Sequence, residues 1–175
     1  MSTSAIRLAR NADARHIANL SRCLIELGLR GWSWHPARVA QAITHRDMCV
    51  IVAEESERDA GVVGSDGFAG FAIAQFGETH MHLNLLAVEP AYQRKGVALA
   101  LMQWLETSAL TAGISEMHLE LRANNTAALR FYEAVGFICV SVAPGYYAGV
   151  EAAVKMHKPL GLKVSTKASQ PSAGK

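Results

Sequence analysis

The sequence predicts an α+β domain of three layers, in which a mixed, mostly antiparallel central sheet of about seven strands carries helices on both faces. Two observations favour this class. Apolar runs of strand length are interspersed with segments whose apolar residues repeat with the period of a helix. Hydrophobic residues make up 50% of the 175 positions, enough for one buried core, and no internal repeat or second domain is visible.

The predicted order begins with a strand over 5–9 and two helices. Asn11 or Asp13 can cap the first helix, which is expected to continue to about residue 27. The apolar residues on one side of this helix are Ile17, Leu20, Leu24 and Leu27. After a break over 28–35, Pro36 suits the first turn of a second helix, over roughly 36–46.

Three strands are predicted next, over 48–53, over 68–76 and from a turn at 77–79 to Val88, and together they predict an antiparallel meander. The polar loop over 54–67 contains Gly61, Gly64 and Gly67. Their spacing would also fit a phosphate-binding loop, but a hairpin connection is the simpler interpretation.

The second half of the chain predicts two helices and three strands. A helix after Gly96 is expected to run to about Thr111, with Gly113 as its terminating residue, and the alternating segment 117–122 predicts a strand. Asn124 or Asn125 can cap the next helix. Its apolar stripe consists of Ala127, Ala128, Phe131, Tyr132 and Val135.

The last predicted elements are strands over 137–143 and 150–157, separated by a turn at 144–147. Residues 1–160 are expected to form a single domain. Residues 161–175 are rich in Ser, Lys and Gly and lack periodicity, which predicts a flexible basic tail.

The segment from Leu83 to Leu101 carries the most informative motif. An apolar run ends at Val88, Pro90 stops the strand, and a short turn leads into an amphipathic helix. Free backbone N–H groups and the positive end of the helix dipole would form an anion site, for which a pyrophosphate is the obvious occupant. The residues expected there are Gln93, Arg94, Lys95, Gly96, Val97, Ala98 and Leu99.

This motif resembles the acyl-CoA-binding signature of the GCN5-related N-acetyltransferase (GNAT) family. The signature positions are occupied by Gln93, Gly96 and Ala98, and Ala98 stands where the family more often has glycine. A second motif over 119–137 is similar to the same family. Its matching residues are Asn125, Ala128, Tyr132, Gly136 and Phe137. The resemblance is strong over 80–158 and weak over the first 60 residues.

Within the family, the chain looks most like the bacterial ribosomal-protein-alanine N-acetyltransferases. The resemblance implies the family's fold, acetyl-CoA as cosubstrate, and direct transfer of acetyl to a primary amine, first of all a protein N-terminal α-amine. It also implies Glu120 as general base and Tyr132 as general acid. The residues that would contact the cosubstrate are Asn125, Ala128 and, through backbone N–H groups, Leu86, Ala87 and Val88.

The chemistry of the residues is compatible with these roles. Glu120 alternates with Leu119 and Leu121, so its side chain points away from theirs, toward either solvent or a cleft. Glu78 is the competing base. Tyr132 is either a core aromatic or a proton donor, because a phenol with a pKa near 10 stays protonated at neutral pH. An α-amine, with a pKa near 8, needs only a modest base.

Two other functions stay open. A small-molecule amine is the alternative acceptor, because the N-terminal third sets acceptor choice in this family and matches it least. A non-catalytic acyl-CoA-binding module is the other alternative. Four aromatic residues occupy loops that flank the acceptor groove in the family, where they would clamp a peptide or cover the core edge: Trp32, Trp34, Tyr146 and Tyr147.

Composition disfavours other partners. His80 and His82 form an H-x-H pair, but no third ligand is close in sequence, so no metal is expected. Residues 1–160 hold 14 Lys and Arg against 15 Asp and Glu, so nucleic acid is not expected as a partner. No run fits a membrane span or a signal peptide, and the three scattered cysteines favour the cytoplasm. Monomer and homodimer stay open.

Overall fold

The structure is a computed structural model that describes residues 4–29, 33–55, 67–147 and 149–161. Seven strands are described: β1 (Ser4–Leu8), β2 (Met48–Glu55), β3 (Phe68–Phe76), β4 (His80–Val88), β5 (Glu116–Arg122), β6 (Ile138–Tyr147) and β7 (Glu151–Pro159). The α-helices are α1 (Ala14–Leu24), α2 (Pro36–Thr44), α3 (Val97–Thr111) and α4 (Thr126–Ala134). The predictions for Trp32, Gly61, Gly64 and the tail beyond Gly161 lie outside the described residues.

All seven strands belong to one sheet with the order β1-β2-β3-β4-β5-β7-β6. The central pair β4–β5 is parallel, and the other neighbouring pairs are antiparallel. The prediction of a mixed, mostly antiparallel sheet of about seven strands is therefore confirmed. The parallel pair arises because α3 carries the chain back across one face between the two strands.

The sheet carries helices on both faces, as predicted. On β3, Phe71 and Ile73 are fully buried in the core that includes α1 and α2. Ala72 and Ala74 alternate with them and are buried in the core that includes α3 and α4. Their small side chains leave room for the Leu101 side chain of α3 in that core. Among the described residues, no helix is long and apolar enough to cross a membrane.

A bulge in β4 creates the feature on which the site depends. Leu83 lies opposite Ala74 and Leu85 lies opposite Ile73, so Asn84 is an extra residue in β4. The bulge moves the alternation by one residue, because Leu83 is buried on the α3 side and Leu85 on the α1 side. The pairing of β4 with β5 ends at Leu83 and Leu119. Beyond this point, the two central strands separate.

The first helix is shorter than predicted. It ends at Leu24, because the amide groups of Ile25 and Glu26 both donate to the Ser21 carbonyl at 2.8 and 2.9 Å and turn the chain away from the helix axis. Leu24 and Leu27, predicted on the buried side, are 40% and 69% exposed. That part of the prediction is wrong, and the cause is the turn around Glu26.

The predicted turn at 144–147 is also wrong. β6 continues to Tyr147, and the pairs Ala143–Ala153 and Tyr147–Glu151 place three β6 residues opposite one residue of β7. Gly145 has a φ of 65°, a left-handed conformation that glycine adopts without strain. The Pro-Gly sequence therefore forms an irregular stretch inside a strand.

Candidate active site

A cavity of about 830 Å³ opens where β4 and β5 separate. Its walls are β4 from His82 to Val88 and β5 from Leu119 to Arg122. On the face of the sheet that α3 covers, the cavity is closed by α4. On the opposite face, it is bordered by the α1–α2 connection and the end of β6. The volume lies within the range of sites that bind small molecules and cofactors.

The β4 side of this cavity is a free strand edge. Leu86, Ala87 and Val88 pair with β3 on one side, but β5 no longer pairs with them on the other. Backbone groups on that side are available to an extended ligand, as at the edge of a sheet. The structure thus brings all three predicted backbone residues to the cavity.

The turn after β4 leads from the cavity to the start of α3. Gln93 lines the cavity, and its Nε2 donates to the Val88 carbonyl at 3.0 Å, which ties the turn to the strand. Arg94 and Gly96 have φ values of 63° and 86°. A Cβ at Gly96 would meet no atom within 4 Å, so the glycine is needed for its backbone conformation and not for space.

The first turn of α3 presents free N–H groups. The intrahelical bonds begin with the Ala100 amide, which donates to the Gly96 carbonyl at 3.0 Å. The amides of Val97, Ala98 and Leu99 therefore have no acceptor within the helix and can bind an anion. The Val97 side chain is buried in the core, so its backbone is what it can offer a ligand.

The remaining predicted anion-site residues lie on the surface next to the cavity. Arg94 and Lys95 are exposed, and the Lys95 ammonium lies 5.3 Å from the centre of the Tyr92 ring. Leu99 is 43% exposed and Ala98 packs partly against the core. The lining of the cavity ends at Gln93, so these residues extend the site beyond it.

Glu120 lies in the cavity, where the two central strands have just separated. Its side chain is 20% exposed and points away from the buried Leu119 and Leu121. The Oε2 of Glu120 lies 2.6 Å from Nε2 of His82, which faces it from β4. A carboxylate hydrogen-bonded to an imidazole in this position can take up a proton from a bound amine.

Glu78, the competing base, does not lie near Glu120 and His82. Glu78 is exposed in the β3–β4 turn, at the end of β4 opposite the cavity, and it does not belong to the cavity lining. The H-x-H pair is also divided between two environments. His82 bonds to Glu120, whereas the His80 ring lies 5.0 Å from the His118 ring. Among the described residues, no group of three or more His, Cys, Asp or Glu is arranged to hold a metal.

Tyr132 projects from α4 into the cavity lining. It is 8% exposed and packs edge-on against the rings of Phe131 and Phe137, at centroid distances of 5.2 and 5.5 Å. Burial raises the pKa of the Tyr132 phenol well above its ordinary value, and Tyr147 raises it further. The hydroxyl therefore stays protonated and can act as a proton donor.

Asn125 caps α4 as predicted. Its Oδ1 accepts from the Ala128 amide at 3.1 Å, and both residues line the cavity. Ala127, predicted on the apolar stripe, is exposed, and Leu129 packs against the core in its place. The cap fixes the start of α4, and thereby the position of Tyr132 two turns later.

Aromatic residues border the side of the cavity opposite α4. Tyr146 and Tyr147 line it. The pKa of Tyr147 is raised to about 12, mainly by burial and further by its neighbours Tyr146 and Glu120. Trp34 is 8% exposed, and the Arg38 guanidinium lies 4.3 Å above its ring. Trp34 belongs to the core and also lines the cavity, and its contact with a peptide stays a prediction.

A model of the family described as "Acetyltransferase (GNAT) family" matches residues 15–137, most of the cavity lining included. The chain belongs to this family. The predicted family is confirmed, and so is the predicted enzyme class at the level of the family. The fold also agrees with the GNAT prediction, since acetyltransferases of known structure superpose on nearly the whole chain.

Similar proteins include named N-acetyltransferases. The [Ribosomal protein bS18]-alanine N-acetyltransferase of Escherichia coli (strain K12) is 36% identical over 97 residues, which are 54% of this chain and 66%, slightly under two thirds, of the relative. The crystal structure of the E. coli ribosomal-protein-S18-alanine N-acetyltransferase matches with a TM-score of 0.72 and 24% identity over 94% of this chain and 98% of that one. Arabidopsis thaliana NAA60 in complex with a bisubstrate analogue matches with a TM-score of 0.77 and 17% identity over 91% and 100%.

Two charged residues of this GNAT cavity were missed by the sequence analysis. Glu26 is 6% exposed, and its carboxylate accepts from the amides of Ser33 and Trp34 at 2.7 and 3.0 Å and from two serine hydroxyls. Arg122 donates from Nη2 to the Leu27 carbonyl at 2.8 Å. Together they hold the α1–α2 connection at the cavity. An acid inside the apolar run from Leu24 to Leu29 was the available signal for Glu26.

Asn84 was missed as well. It lines the cavity, and within the described part of the chain its buried Oδ1 has no hydrogen-bond partner. A buried polar atom without a partner is uncommon in a folded protein and is typical of a position that meets a ligand or water. The signal was a single amide residue in the otherwise apolar run from Leu83 to Val88.

Proposed function

We propose that this chain is an acetyl-CoA-dependent N-acetyltransferase that transfers acetyl directly to the N-terminal α-amine of a protein. The observation that supports this most is the cavity between the separated strands. It combines a free strand edge, a paired carboxylate and a protonated phenol in one space. Family membership and the named activities of the similar proteins support the reaction class.

The chain's own groups fit the expected cosubstrate. The free edge of β4 can hydrogen-bond to the amide groups of a pantetheine arm, and the buried Oδ1 of Asn84 leaves an acceptor for one of its N–H groups. The N–H groups at the start of α3 and the side chains of Arg94 and Lys95 suit a pyrophosphate. Acetyl-CoA would supply the activated acetyl group.

Glu120 and Tyr132 would then divide the acid–base chemistry. Glu120 would take a proton from the α-ammonium, which leaves a nucleophilic amine. As the C–N bond forms and the C–S bond breaks, Tyr132 would give its proton to the departing sulfur. At pH 7 roughly one α-amine in ten is already neutral, so one carboxylate is a sufficient base.

An assay with matched acceptors tests the proposal. One peptide copies the alanine N-terminus of ribosomal protein bS18 and has a free α-amine and one lysine. A second peptide differs only in a blocked N-terminus, and spermidine represents small-molecule amines. We expect acetyl-CoA-dependent modification of the first peptide at the α-nitrogen, located by fragmentation mass spectrometry. Preferred acetylation of spermidine would instead support a small-molecule acceptor, and binding of acetyl-CoA without turnover would support a non-catalytic module.

We expect the reaction to take place in the cytoplasm. Cys23, Cys49 and Cys139 are all free thiols in the structure, as expected for a reducing compartment. Size-exclusion chromatography with light scattering will distinguish the monomer from the homodimer.

A further inference from the structure

The reaction proposed for this cavity releases one proton in each turnover, and that proton needs a route to solvent. Near pH 7 an α-amine arrives mostly as an ammonium ion, and it leaves as a neutral amide. The nitrogen therefore loses two protons. One can return to the sulfur through Tyr132, so that coenzyme A leaves as a neutral thiol. The other proton must reach the solvent in each turnover.

Glu120 is poorly placed to release that proton directly. Its side chain is 20% exposed, and it lies inside the cavity that the acceptor and the acetyl group would fill. In the described part of the chain, the side chain that hydrogen-bonds to Glu120 is His82, at 2.6 Å. His82 is more accessible than Glu120, with 32% of its side chain exposed.

His82 occupies the closed end of the cavity. It pairs in register with His118 in the part of the sheet where β4 and β5 still form a ladder. On the side of the sheet that His82 and Glu120 share, β5 and β7 contribute no residue to the core formed with α1 and α2. The neighbours of His82 on this open side, His80 and His118, are exposed or half-buried. The imidazole thus lies between the cavity and a solvent-exposed surface of the sheet.

We infer that His82 relays the proton taken by Glu120 from the acceptor amine to water on the open side of the sheet. The inference rests on the proposed function, because it requires Glu120 to act as the base. In the tautomer that carries its proton on Nδ1, His82 accepts the proton from the Glu120 carboxyl at Nε2 and becomes an imidazolium. It releases the Nδ1 proton to water, and exchange of the remaining proton from Nε2 to Nδ1 through water restores the starting tautomer. His82 is a positioning and relay residue and does not contact the reacting atoms.

Other ionisable groups near Glu120 are arranged differently. Arg122 of β5 and Glu151 of β7 form an ion pair at 3.4 Å, and Tyr146 and Tyr147 of β6 have raised pKa values, so both phenols stay protonated. An arginine and two protonated phenols can donate hydrogen bonds, but they are poor proton acceptors near neutral pH. Glu151 is paired with Arg122, whereas His82 hydrogen-bonds to Glu120, so His82 is the neighbour suited to take a proton from Glu120.

Chemical rescue separates a relay from a structural role. His82→Ala removes the imidazole, and we expect kcat with the alanine peptide to fall about tenfold or more, with the Kd of acetyl-CoA within about twofold. Imidazole added at about pH 8, where it is mostly neutral, is expected to restore at least a third of the lost rate with saturation. His82→Gln keeps a side-chain amide that can hydrogen-bond to Glu120 but cannot take up a proton, and it is expected to lose the same activity.

His118→Ala is the matched control. His118 forms a comparable pair with Glu116 at 2.9 Å on the same side of the sheet, but it does not line the cavity. We expect its kcat to stay within about twofold of the wild type and to show no response to imidazole.

The outcomes distinguish this inference from the proposed function. If Glu120→Gln is inactive but both His82 variants keep wild-type kcat, the relay is overturned and the proposed function stands. A loss in His82→Ala that imidazole does not restore, together with an active His82→Gln, shows a structural role and also overturns the relay. If Glu120→Gln is fully active, Glu120 is not the base, and both its assigned role and the relay are overturned.

Discussion

The two halves of the cavity are built from different materials. The half next to α3 is closed by α4 and is otherwise formed largely by backbone groups of one continuous segment, 84–93, which is held in place by β3 and leads to the start of α3. The other half is formed by side chains from separate segments, with Glu26, His82, Glu120, Arg122 and Tyr147 as the main polar members. Backbone amides are common to many sequences, whereas side chains distinguish one ligand from another. We therefore expect the first half to bind the cosubstrate and the second to select and activate the acceptor.

The largest effect is expected from Glu120→Gln. The amide keeps the size of the side chain but cannot act as a base, so kcat is expected to fall about 100-fold to 1000-fold. The half of the cavity that is formed by backbone groups (the backbone half) is unchanged in this variant. Isothermal titration calorimetry should therefore give a Kd for acetyl-CoA within about twofold of the wild type. A variant with normal kcat would contradict the division of the cavity.

Tyr132→Phe should have the next largest effect. Removal of the hydroxyl leaves the departing sulfur without its donor, and kcat is expected to fall roughly tenfold to 100-fold. Because burial raises the pKa of Tyr132, the wild type should lose no activity through ionisation of this phenol up to about pH 9. A pH–rate profile that falls below pH 9 in the wild type but not in the variant would show that Tyr132 ionises earlier.

Glu26→Gln tests whether the side-chain half selects the acceptor. The amide cannot accept from all of its present partners, so the loop at Ser33 and Trp34 should loosen. We expect the KM for the peptide to rise about fivefold to tenfold, with the Kd of acetyl-CoA unchanged.

Ser21→Ala is the control for this prediction. It removes a buried hydroxyl that donates to the same carboxylate at 3.2 Å but leaves both loop amides bonded. Its peptide KM should stay within about twofold of the wild type. A similar rise in KM for both variants would indicate general destabilisation instead of acceptor selection.

The difference between the halves also explains what the sequence could predict. The turn from Val88 to Gly96, the left-handed glycine and the helix start are local, and patterns of a few residues indicate them. The bulge at Asn84 depends on its register with β3, and the contact of Arg122 with Leu27 joins residues 95 positions apart. Such long-range contacts leave no periodic signal. The same limit applies to Glu26, whose partners lie across a turn that shortened α1.

Gly96→Ala tests the backbone half with a smaller effect. Alanine is strained at a φ of 86°, by about 1 kcal/mol or more, and the turn would shift to relieve that strain. We expect the Kd of acetyl-CoA to rise about fivefold and the peptide KM to stay near its wild-type value.

Gly113→Ala supplies the control for the backbone half. Gly113 has a φ of 77° and, like Gly96, has no atom within 4 Å of the position that a Cβ would take, but it lies beyond the other end of α3. The substitution should lower Tm to a similar extent without changing the Kd of acetyl-CoA. An equal loss of affinity in both variants would mean that global stability, and not the turn, controls binding.

The smallest effect concerns alkaline stability. The pKa of Tyr147 is raised to about 12 in the folded chain, against about 10 when unfolded, so the unfolded state loses this proton first. Its contribution to the free energy of unfolding is full below about pH 10 and is lost as pH rises toward 12. Tyr147→Phe should therefore show a shallower fall in stability over this window in urea denaturation. Identical slopes would contradict the assigned shift.

Hydrogen exchange with and without acetyl-CoA tests the central claim most directly, because it reports on backbone amides. If the cosubstrate lies along the free edge of β4 and ends at the start of α3, acetyl-CoA should slow exchange in peptides that cover 84–99. Peptides that cover 21–29 and 138–147 should change little until the acceptor is added. Protection confined to those other segments, or no protection in 84–99 at saturating acetyl-CoA, would contradict the account.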